Sequence, residues 1–153
     1  PKFSQVDMRE LFWVSRDNLV DQMSGVALIP PHVKNVFNKI YNADSDSIRK
    51  NMCKTEITGL SSEGIKDIFT LLDAKLLTSV TDKNAYGVYY YCILNDIAGA
   101  YESFLEILSR IDTSKIPFSL GSKFKDILDK YGSDKKLITL IERNNRLMNS
   151  IKS

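Results

Sequence analysis

Apolar residues recur along this chain at helical spacing far more often than at the alternation of a half-buried strand. Val33, Val36, Phe37 and Ile40 form one stripe directly after Pro30-Pro31, and proline is well tolerated in a helix's first turn. Ile48, Met52, Cys53 and Ile57 form a second stripe, with Asp46 placed to cap it. Ile65, Ile68, Phe69 and Leu72 follow the i, i+3, i+4, i+7 pattern behind Ser61 as N-cap, predicting a helix over residues 62–76. Further on, Leu94, Ile97, Tyr101, Phe104, Leu108 and Ile111 step by three and four, as on one long packed helix. Phe124, Ile127, Leu128 and Tyr131 predict a short helix that Gly132 ends. Leu137, Leu140, Ile141, Leu147, Met148 and Ile151 predict a last one, capped by Ser133 or Asp134.

Two regions depart from this helical rhythm. Residues 76–80 suit a strand, T-D-K-N-A-Y-G is turn chemistry, and V-Y-Y-Y-C-I over residues 88–93 is rich in strand formers, so the three together predict a β-hairpin. Near the start, Leu11-Phe12-Trp13-Val14 suits a short strand, and Leu19, Val20 and Met23 a short helix capped by Ser15 or Asp17.

The segment T-G-L-S-S-E-G-I joins the second and third helices by a tight turn, and a hairpin follows the third. This order resembles the winged helix-turn-helix superfamily over residues 31–93, about two-fifths of the chain. One departure is Leu76, where members usually carry Gly after the third helix. The expected fold is therefore mainly α, with a winged helix-turn-helix core, a small β-hairpin wing and a C-terminal helical extension. Residues 1–30 are expected to pack on the core, and residues 94–153 to share one body with it.

With 153 residues and 43% hydrophobic composition, the chain can bury a core of its own without disulfide or metal staples. No run of 18 apolar residues spans a bilayer, and neither a signal-peptide pattern nor paired cysteines mark an exported protein, which points to an intracellular one. A net charge of +2 is too small to imply nucleic acid by itself. Charge is uneven, however: residues 119–153 hold eight Lys or Arg against four acids.

No catalytic pattern emerges. His32 has no second ligand at metal spacing, Cys53 and Cys92 read as small buried hydrophobes, and phosphate-loop, dinucleotide and zinc-protease motifs are lacking. The chain is thus expected to be non-enzymatic, with no cofactor or metal and no evident small-molecule substrate. The resemblance implies work within nucleic-acid-transacting machinery, in transcription, replication or chromatin.

Two binding roles compete within that setting. As a DNA reader, the third helix offers Ser62, Lys66 and Thr70, and the wing tip offers Lys83 and Asn84. Its outward face also carries Glu63, Asp67 and Asp73, which repel phosphate. The leading expectation is therefore an assembly or dimerisation module, with a protein partner or a second copy. Tyr89 and Tyr91 of the wing supply aromatic surface, unless the C-terminal helices cover it. Leu140, Asn144, Leu147 and Ile151 fit heptad positions at which a polar Asn fixes register. Lys135, Lys136, Arg143 and Arg146 keep a phosphate-binding alternative open on the last helix.

Overall fold

The computed structural model describes residues 25–132 and 134–153. The expectations for residues 11–23 and the cap at Ser133 lie outside them. Helix α1, Pro31–Tyr41, starts on Pro30-Pro31 and buries Val33, Phe37 and Ile40, as its stripe requires. Ser45, one residue before the expected cap, opens α2, Asp46–Met52, by accepting from the Ile48 N–H at 3.2 Å. A π-helical turn, Cys53–Ile57, continues it. Ser61 then caps α3, Ser62–Thr78, accepting from the Gly64 N–H, with Ile68, Phe69 and Leu72 buried. Arg49 ties α1 to α2: its guanidinium donates to the carbonyls of Ile40, Tyr41 and Ala43 and pairs with Asp46. Ile40 and Tyr41 lie in α1's last turn and Ala43 just beyond it, so a 6% exposed arginine acts as a C-terminal cap.

The β-hairpin wing is absent, and no strand occurs among the described residues. Residues 76–78 complete α3, and residues 83–87 of the expected turn join the expected second strand in a single helix, α4, Lys83–Leu94. Asp82 caps it, accepting from the Ala85 N–H at 3.1 Å. Every residue from Ala85 to Ile93 is buried, because α4 runs through the middle and touches α1, α2, the π-turn and α3 as well as two of the later helices. A helix apolar on all sides gives no amphipathic period, and a short apolar run then looks the same as a strand buried on both faces. The fold is mainly α without a wing.

The expected long stripe over residues 94–111 also breaks. Asp96 (φ 57°) and Gly99 (φ 81°) reverse the chain after α4, and α5, Ala100–Arg110, begins there with Tyr101, Phe104 and Leu108 buried. Two 3-10 turns, Thr113–Lys115 and Phe118–Leu120, lead into α6, Gly121–Tyr131, which Gly132 ends at φ 64°. Asp134 caps α7, Lys135–Glu142, and Asn144 caps α8, Asn145–Lys152. A single apolar cluster runs from Ile29 to Leu147 across all of these helices.

Tyrosine hydroxyls stitch the helices together at the rim of this core. Tyr41 donates to Asp82, Tyr89 to Asp73, Tyr90 to Asp126 and Tyr101 to Asp134. Two of these acceptors, Asp82 and Asp134, also cap helices, so one carboxylate fixes two elements. Asp73 is partly buried. Burial pushes its carboxyl up to about 6 from the usual 3.8, Glu106 adds to the rise, and the Tyr89 hydroxyl and Arg110 oppose it. A carboxyl raised on folding stabilises the fold fully below its unfolded value and loses that contribution as pH rises through its folded value. Asp73→Asn keeps an oxygen for Tyr89 but cannot ionise. The wild type is therefore expected to lose stability relative to Asp73→Asn between about pH 4 and about pH 7, as urea melts across that range will measure.

Gly121 sets how closely α6 and α8 approach. A Cβ there would lie 2.7 Å from the Ser150 Cβ and 3.2 Å from its backbone carbon. Gly121→Ala must push α8 away, and a loss of about 1–3 kcal/mol is expected in a denaturant melt, the usual cost of overpacking.

Candidate nucleic-acid interface

The approach of α8 to α6 places the start of α8 over the 3-10 turns and beside the start of α4. Asn144, only 4% exposed, makes that junction rigid. Its amide nitrogen donates to the carbonyls of Thr113 (2.9 Å) and Ile116 (2.8 Å), and its amide oxygen accepts from the Leu147 N–H (2.9 Å). The Thr113 hydroxyl in turn donates to the Leu140 carbonyl at 2.7 Å. On the facing side, the Tyr86 hydroxyl donates to the Val80 carbonyl at 2.7 Å, which holds the loop leading to Asp82.

Between these pinned segments lies an open pocket of about 590 Å³. Lys83 enters it from the first turn of α4, Lys115 from the first 3-10 turn and Arg146 from the first turn of α8. All three are exposed, and none has an ion-pair partner among the described residues. The hydroxyls of Thr81, Ser114 and Ser119 stand among them, and no carboxylate lines the pocket. Asp112 lies on the adjoining turn, where it accepts from the Ser114 hydroxyl at 2.6 Å and from the Ser114 N–H at 3.1 Å. Those bonds, with a smaller effect from Lys115, hold its carboxyl below the usual range. The Phe118 ring is 47% exposed, and the Arg146 guanidinium sits 4.2 Å from its centroid. Lysine supplies point charge and arginine a planar fork, and both suit phosphate oxygens.

Of the residues expected to contact DNA, only Lys83 lies in this pocket. Asn84 is exposed beside it on the first turn of α4, there being no wing tip. Ser62 and Lys66 are exposed on α3, and the half-buried Thr70 donates its hydroxyl to the Lys66 carbonyl at 3.1 Å.

The expected protein interface is largely consumed inside the monomer. Tyr89 is buried between Phe69 and Phe104, and Tyr91 packs edge-on to Tyr90. The C-terminal part of the chain covers this face: Tyr90 bonds Asp126 of α6, and Lys123 lies over the Tyr90 ring. Leu140 and Leu147 are core residues, and Ile151 packs partly buried against them. Asn144 ends the heptad pattern, because it caps a new helix where a continuous one was expected.

Lys115, Phe118, Thr81, Ser114 and Ser119 carry no regular spacing that would mark them in the sequence. The signal available was S-K-I-P-F-S, an aromatic residue next to a proline among polar residues and a lysine. Lys135 and Lys136 belong to a different groove, shared with Glu102 and Glu106, where the charges cancel. Cys53 and Cys92 meet inside the core; their mutual hydrogen bond and burial push the Cys92 thiol up, away from reactive thiolate. His32 is exposed in the first turn of α1. Among the described residues no cluster of His, Cys, Asp or Glu could hold a metal ion, and no helix is long and apolar enough to cross a membrane. Compared with known protein families, with curated proteins and with solved structures, the chain matches none.

Proposed function

We propose that this chain is a non-enzymatic, intracellular binding module of nucleic-acid-transacting machinery, and that it holds the phosphate backbone of nucleic acid in the pocket formed by α4, the 3-10 turns and α8. The observation that supports this most is the convergence of Lys83, Lys115 and Arg146 from three separate elements, without ion-pair partners among the described residues. Bringing like charges together costs free energy, and a polyanion that neutralises them recovers it. DNA contact thus moves from the acidic face of α3 to a surface that favours phosphate. Self-assembly through the tyrosines and the last helix is the weaker reading, since Tyr89, Tyr91, Asn144 and Leu147 serve the monomer's core.

The test is a titration of a labelled oligonucleotide at about 50 mM and about 200 mM salt. Neutralising about three phosphates gives a slope of log affinity against log salt of about −2 to −3. No binding at the lower salt sinks the proposal.

A further inference from the structure

Resting on that reading, we infer that the ligand is a single strand bound without regard to sequence, with one base stacked on Phe118 and the flanking phosphates held by Lys83, Lys115 and Arg146. Shape is the first reason. Reading a duplex requires a convex element that enters a groove, whereas these cations line a concavity. Its volume of about 590 Å³ falls in the range that encloses a small ligand, roughly a nucleotide or two.

The aromatic ring is the second reason. Phe118 follows Pro117 at φ −59°, and the preceding carbonyl, of Ile116, is fixed by Asn144 at 2.8 Å, so the ring is presented from a stiff turn. Nearly half of it meets solvent although the core is close by. An exposed ring among cations is the pairing that single-strand binders use, since every base has a stacking face. Arg146 adds to it, because its guanidinium sits 4.2 Å from the ring centroid and so holds a positive charge beside any base stacked there.

The inventory of polar groups argues against base reading. Asn144 is the one side-chain amide in the lining, and its nitrogen and oxygen are already committed to backbone groups. No carboxylate lines the pocket to accept from a base edge. Lys83, Lys115, Arg146 and the hydroxyls of Thr81 and Ser119 remain, and set around a ring that stacks the base they reach the flanking phosphates rather than its edge.

Anisotropy titrations at low salt of a ~15-nucleotide oligothymidylate, an abasic strand of equal length and a duplex provide the test, with wild type, Phe118→Ala and Phe118→Trp. The oligothymidylate should bind about tenfold tighter than the abasic strand, Phe118→Ala should remove that difference, and Phe118→Trp should keep it. Circular dichroism checks that Phe118→Ala remains folded. If the abasic strand binds wild type as tightly and Phe118→Ala changes nothing, the stacked base is overturned while phosphate binding stands. Equal affinity for the duplex overturns the single strand, and displacement by equimolar thymidine monophosphate overturns a polymer ligand. If no strand binds at all, the proposed function itself fails.

Discussion

Asn144→Ala is expected to lower the unfolding free energy by about 2–4 kcal/mol, through loss of an N-cap together with two buried hydrogen bonds. The side chain caps α8 and also satisfies the carbonyls of Thr113 and Ile116, 31 and 28 residues away in sequence. Alanine removes the cap and leaves both carbonyls, which belong to buried residues, without their donor. Denaturant melts with linear extrapolation will measure the loss. The same change should weaken oligonucleotide binding where the protein is still folded, because Lys115 and Arg146 sit on the two segments that Asn144 joins. Sedimentation should be alike for variant and wild type. A variant of unaltered stability that sediments differently would instead mean that Asn144 works between molecules.

The double charge reversal Lys115→Glu with Arg146→Glu is expected to weaken oligonucleotide binding about a hundredfold at low salt and to reduce the salt slope by about two. Both side chains are exposed and have no ion-pair partner among the described residues, so the stability loss should stay within about 1 kcal/mol, from the Arg146–Phe118 contact and the Lys115–Asp112 attraction. Lys66→Glu serves as the contrast. Lys66 lies on the face that carries Glu63 and Asp67, outside the pocket, and its reversal should leave affinity nearly unchanged. Anisotropy titrations of the three proteins separate a local site from a general response to net charge.

Much of the helical framework is legible in the residues. The stripe of Val33, Phe37 and Ile40, the Ser61 cap and the stop at Gly132 each act within one helix, where sequence spacing and spatial spacing coincide. Errors begin where burial is complete or where a cap falls inside a continuous stripe. The run from Val88 to Ile93 has no polar face, so its period is hidden, and the Asp82 cap that decides for helix sits within what reads as turn chemistry. The spacing of Leu140, Asn144 and Leu147 hides a helix break, because α7 and α8 turn their apolar residues into one core on either side of the Asn144 cap.

The candidate site is less legible for a related reason. Lys83, Lys115 and Arg146 are 32 and 31 residues apart in sequence, and only the tertiary packing of α4, the first 3-10 turn and α8 brings them to one pocket. Single cations on separate helices read as solubility. Arg49 illustrates the same gap: in sequence it is one more charge on α2, in space a buried cap for α1.

The most direct measurement is a map of backbone amide shifts as an oligonucleotide is added to isotope-labelled protein at low salt. The largest changes should fall at Lys83, Ser114, Lys115, Phe118 and Arg146, the residues that line the pocket, with Lys66 and Thr70 of α3 scarcely moved. Changes centred on α3, with the pocket residues silent, would contradict the assignment of nucleic-acid binding to this site.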